Sequence, residues 1–151
     1  MTTHPFFSSY PDFTPNPTAP ISSDFQRLAA LRNWKTNSKH WKKMWNKCMN
    51  FEYDKLIGNT LSSLQSWQGL CEEVGLGNGV QFGSIRKCKM ALQGVFVNIV
   101  DLLDARRTGT KVKTFKNIWK LSHYTKQKGK MFNRKLAKQD KLLRVLLRVL
   151  V

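Results

Sequence analysis

Apolar residues recur along this chain at intervals of three and four rather than two, a period that predicts helices separated by glycine and polar breaks. Ser23-Asp24-Phe25-Gln26 reads as a capping box, and Phe25, Leu28, Leu31 and Trp34 follow at helical spacing. Ser38 is the next N-cap. It opens a helix to about Ile57, with Trp41, Met44, Trp45, Cys48 and Leu56 on one side and Lys39, Lys42, Lys43 and Lys47 on the other, ended by Gly58. Ser62 opens a third helix with the apolar stripe Leu64, Trp67, Leu70, Cys71 and Val74, and the glycine-rich stretch Gly75 to Gly83 is a loop.

Ser84 is expected to cap one long helix through Ile85, Cys88, Leu92, Val95, Phe96, Ile99, Leu102 and Leu103. Its stretch Val95 to Val100 also suits a strand, but helical spacing on both flanks favours the helix. Apolar residues on nearly all its sides mark it as the central element. Arg106 and Arg107 complement the dipole at its C-terminal end, and Gly109 follows. Thr114 to Tyr124 suggests a short helix with Phe115, Ile118, Trp119 and Leu121 inward, and Gly129 breaks the chain again. Asn133 caps a last helix whose apolar end, Leu142 to Val151, must pack on the core or on another subunit.

The segment Met1 to Ile21 is different in kind. It holds all five prolines among Ser, Thr and isolated aromatics, and proline at that density blocks helix and central strand alike. A disordered tail or an extended arm is expected, with Phe6, Phe7, Tyr10 and Phe13 as residues that could dock on a partner. The expected fold is therefore all-α: a single compact domain of five to six helices over residues 23–151, preceded by a disordered Pro-rich N-terminal tail over residues 1–22.

Charge changes the picture from fold to partner. The 151 residues carry 26 Lys and Arg against 9 Asp and Glu, a net +17, and such self-repulsion contributes nothing to a compact state. The excess is uneven. Between Arg106 and Arg148 fifteen cations face Asp140 alone, a net +14 of the +17. Surfaces of this kind attract phosphate backbones by counterion release, largely without regard to base sequence. The residues expected to bind nucleic acid are Arg106, Arg107, Lys111, Lys113, Lys126, Lys128, Lys130, Arg134, Lys135 and Lys138, joined by Lys39, Lys42 and Lys43. Lys126, Lys128 and Lys130 in a loop before the last helix would meet its N-terminal amides, a further phosphate site.

Two other readings stand beside nucleic-acid binding. The apolar C-terminal helix could bind a protein partner or a second copy of the chain, and its mix of Lys/Arg with an apolar face could touch an anionic membrane surface, the least favoured of the three. The third and fourth helices form a helix-turn-helix candidate with Arg86, Lys87 and Lys89 near the start of the second, but the connection is long for a compact turn.

Enzyme chemistry finds no constellation. Cys48, Cys71 and Cys88 are widely separated and lack nearby histidines, so neither a zinc site nor an activated thiol is expected, and no cofactor is implied. Gly75-Leu76-Gly77-Asn78-Gly79 follows a helix rather than a strand and lacks the Gly-Lys-Ser/Thr ending of a phosphate-binding loop. Three cysteines suit a reducing compartment, no apolar run approaches the ~20 residues that span a bilayer, and the N-terminus lacks the form of a signal peptide. The expected location is the nucleus or cytoplasm.

The strings Phe25 to Trp34, Ser38 to Trp45, Trp67 to Gly75, Cys88 to Leu92 and Val97 to Arg106 together resemble a group of small basic proteins of filamentous fungi. The resemblance runs from about Phe25 to the C-terminus and implies an intracellular fungal protein. That group carries no established activity, so it implies no functional residues.

Overall fold

The computed structural model describes residues 4–58, 63–77 and 81–132. Six α-helices and one two-stranded sheet make up the described regular structure, apart from short 3-10 and π turns: α1 Ile21–Leu31, α2 Lys39–Tyr53, α3 Leu64–Glu73, α4 Ile85–Leu92, β1 Phe96–Val97, α5 Ile99–Thr108, β2 Thr114–Phe115 and α6 Ile118–Lys128. The fold is mostly helical, as the apolar spacing predicts. The expected C-terminal helix from Asn133, with Arg134, Lys135 and Lys138, and the Ser62 cap lie outside the described residues.

Local chemistry sets most helix ends. The hydroxyls of Ser38, Ser63 and Ser84 accept the backbone N–H groups of Trp41, Ser66 and Lys87, and Asn98 and Asn117 do the same for Asp101 and Lys120. Gly109 and Gly129 close α5 and α6 with φ of 73° and 68°, a left-handed conformation that costs a residue bearing Cβ but not glycine. α1 begins three residues earlier than its capping-box pattern suggests, directly after Pro20, whose fixed φ suits a helix entry.

The long helix expected from Ser84 to Leu103 is instead three elements. α4 ends at Leu92, a turn runs through Gln93 and Gly94, β1 follows, and Asn98 starts α5. Gly94 weakens helix propagation there, while Val95, Phe96 and Val97 favour extended backbone. The antiparallel pairing of Phe96 with Phe115 and Val97 with Thr114 then supplies the hydrogen bonds that a continuous helix would have made. The same pairing takes Thr114 and Phe115 out of the helix expected over 114–124, which starts at Ile118.

α5 is the central element, as its sequence predicts. Ile99, Val100, Leu102, Leu103, Asp104 and Ala105 are all buried, and the helix packs on α1, α2 and the π turn Asp54–Gly58 after α2. α3 packs on α4, and α6 packs on the small sheet.

From His4 onward the Pro-rich segment takes the second of its two expected forms, an extended arm laid over the helices, with Phe6, Phe7 and Phe13 in the core beside Phe25. Phe7 lies tilted against Phe13 at 5.3 Å, Phe6 lies 6.2 Å from Phe25, and Tyr10 meets Trp34 edge-on at 5.7 Å. Proline prevents helix and ladder but not packing, and each docked aromatic removes on the order of 150–250 Å² from water. Phe25 is the hub of this cluster, with Trp41 and Trp45 both edge-on to it.

Candidate nucleic-acid interface

Two of the cations expected to meet a polyanion are held inside the fold by long-range partners. The Arg107 guanidinium donates to Glu52 from Nη1 and to Asp24 from Nη2, both at 2.7 Å, and to the carbonyl of Asn16 at 3.0 Å. It thereby fastens α5 to α2, α1 and the arm at once. Arg106 donates from Nε to Glu73 at 2.7 Å and from Nη1 to the carbonyl of Leu56 at 2.6 Å.

Lys130 shows the same behaviour. Its Nζ lies 2.8 Å from Asp101 and 3.9 Å from Asp104. Burial would lower its pKa, but the Asp101 carboxylate outweighs that and raises it above the ordinary lysine value. Burial pushes the Asp104 carboxyl up, against two hydrogen bonds from Ser22 that favour its ionised form. The phosphate loop expected over Lys126, Lys128 and Lys130 is not formed: Lys126 and Lys128 belong to α6, and Lys130 turns inward.

His4 completes the buried cluster. Its Nδ1 accepts the backbone N–H of Phe6 at 3.3 Å, which leaves the proton on Nε2, 3.3 Å from the Glu52 carboxylate. Burial alone would raise the Glu52 carboxyl. The His4 and Arg107 contacts prevail and hold it below the usual glutamate range.

These pairings decide what remains for a ligand. Asp12, Asp24, Glu52, Glu73, Asp101 and Asp104 are all engaged by Arg27, Arg32, Arg106, Arg107, Lys130 or His4. Most of the exposed lysines take part in none of these pairs. Lys39, Lys42, Lys43 and Lys47 form an outward stripe on α2, with no carboxylate in ion-pair range among the described residues. Trp41 and Trp45, interleaved with them in sequence, point inward and stack on each other at 5.3 Å.

The second exposed set follows α5. Lys111, Lys113, Lys116, Lys120, Lys126 and Lys128 lie on the connection and on α6, all exposed. Lys113 holds its ammonium 5.1 Å above the Phe115 ring and 5.4 Å from that of Tyr124. Lys111 stands at the rim of an open cleft of about 520 Å³ that also presents Glu72 and Glu73, so the cleft itself is not a phosphate pocket.

One residue of this surface runs against expectation. Trp119, predicted inward, is 67% exposed. With Asn117 as N-cap, the buried side of α6 is set by Leu121, Ser122 and Thr125, which rotates Trp119 outward together with His123 and Lys126. The polar pair Ser122 and Thr125 on the buried side hides this face from apolar spacing. Thr125 is inward because its hydroxyl accepts the Asn98 side chain at 3.1 Å.

Among the described residues no cluster of His, Cys, Asp and Glu is arranged to hold a metal ion. No helix among them is long and apolar enough to cross a membrane. In comparisons with family models, curated proteins and solved structures, the chain matches none.

Proposed function

We propose that this protein binds nucleic acid, mainly through phosphate contacts, as a binding module rather than an enzyme. The observation that carries the proposal is the division of its charges. Six carboxylates are engaged by cations within the fold, while Lys39, Lys42, Lys43 and Lys47 of α2 and Lys111, Lys113, Lys116, Lys120 and Lys128 face solvent with no ion pair among the described residues. A field of one sign, carried on packed helices, concentrates a polyanion and releases its counterions. Arg106, Arg107 and Lys130 serve the fold in this proposal, and Arg134, Lys135 and Lys138 would extend the basic surface. Cys48, Cys71 and Cys88 are buried free thiols, which suits a reducing nuclear or cytoplasmic setting.

The test is affinity for duplex DNA and for RNA measured against salt. Several phosphate contacts give a steep fall of log affinity with log salt, about 0.9 per contact on duplex DNA. Absence of binding at low salt, or a flat response, removes the proposal.

A further inference from the structure

The protein buries its tryptophans with one conspicuous exception. Trp41, Trp45 and Trp67 are in the core, and Trp34 packs against Tyr10, Phe25 and His40. Trp119 stands out of α6 with two-thirds of its surface in water. Its helix is firmly seated: Asn117 and Gly129 cap its ends, Leu121 enters the core, and Thr125 is bonded to Asn98. The indole is therefore presented from a fixed element rather than from a loop.

Its neighbours define what it could meet. Outward on α6 beside Trp119 are Lys120, His123, Lys126 and Gln127, and Lys116 lies just before the N-cap. A second flat ring, His123, sits one turn on from the indole, on the same face. Lysines flank both rings. An aromatic surface of this size among cations matches an unpaired nucleobase stacked between neutralised phosphates. A membrane is a poorer match, because an interfacial helix needs a continuous apolar face and Trp119 is the only exposed large apolar residue of α6.

Resting on the nucleic-acid reading above, we infer that α6 is a single-strand site, in which Trp119 stacks an unpaired base while Lys116 and Lys120 hold the flanking phosphates. Bases in a duplex are already stacked on each other and present no face to the indole. Duplex DNA also has the higher charge density, so a surface that reads only phosphates prefers the duplex. Preference for a single strand therefore reports the base contact.

The experiment compares an oligo-dT, an oligo-U and a duplex of equal length at one salt concentration, by fluorescence anisotropy with the full chain and with Trp119→Ala and Trp119→Phe. Trp119 is exposed, so both variants are expected to fold, which circular dichroism checks. The expected result is single-strand preference in the wild type. Trp119→Ala should lose about tenfold or more on the single strands and little on the duplex, with Trp119→Phe retaining much of the affinity. Comparison of oligo-dT with oligo-U distinguishes DNA from RNA as the source of the strand. Duplex preference, with Trp119→Ala within about twofold of wild type on single strands, overturns the inference and leaves phosphate binding standing. Failure to bind any of the three at low salt overturns both. Trp119-dependent sedimentation with anionic phospholipid vesicles, without Trp119-dependent oligonucleotide binding, assigns the face to a lipid surface and overturns the inference.

Discussion

Arg107 and Glu52 meet at 2.7 Å in the interior, their side chains 8% and 1% exposed, and tie the central helix α5 to α2. Asp24 binds the other end of the same guanidinium at 2.7 Å. An arginine in the most basic third of the chain is thus an internal fastener, because a buried charge is tolerated only with partners at hydrogen-bond distance.

Removing that fastener takes the buried guanidinium from two buried carboxylates, leaving Glu52 to His4 and Asp24 to the half-exposed Arg27. Arg107→Ala is expected to destabilise the fold by about 3–5 kcal/mol, read as a fall in urea midpoint. A loss under about 1 kcal/mol would contradict its burial.

The Glu52 carboxyl yields a pH test. Its folded pKa lies below the ordinary value, so the stability it contributes is present above the unfolded glutamate pKa, about 4.3, and is lost as pH falls through the depressed folded pKa. Asp104 acts in the opposite sense. Its raised pKa adds stability in acid that is lost as pH rises through that folded value. The stability difference between wild type and Glu52→Gln isolates the contribution of the Glu52 carboxylate: large at pH 7 and shrinking below about pH 4. A difference independent of pH would show that Glu52 is not ionised in the fold.

The arm is a structural part of the domain. Phe7→Ala should cost about 3–5 kcal/mol, the range for a phenylalanine deleted from a packed core. A free tail would show no change in denaturation midpoint.

Lysines on the two sides of the charge division should separate cleanly. Lys120→Gln is expected to leave stability unchanged and to lower the salt slope of nucleic-acid binding by about one. Lys130→Gln should do the reverse, weakening the fold by leaving Asp101 and Asp104 without their cation while the slope stays as it was. Equal effects of the two on binding would refute the division.

What the sequence determined by itself was what depends on neighbours a few residues away. Ser38 and Ser84 could be read as caps, Gly109 and Gly129 as breaks, and the apolar stripes of α2 and α3 as buried faces, because capping and helical periodicity are local. The bias of charge toward the C-terminal third was equally plain. Tertiary structure alone decided which of those charges remain available. Arg107 finds Glu52 and Asp24 at sequence separations of 55 and 83 residues, and Ser22 finds Asp104 at 82. No spacing rule reaches that far. The break after Gly94 required a strand partner from beyond α5, the arm required the aromatic cluster around Phe25, and the exposure of Trp119 followed from Asn98 drawing Thr125 inward. In each case the deciding energy lies in a contact made only once distant elements have packed.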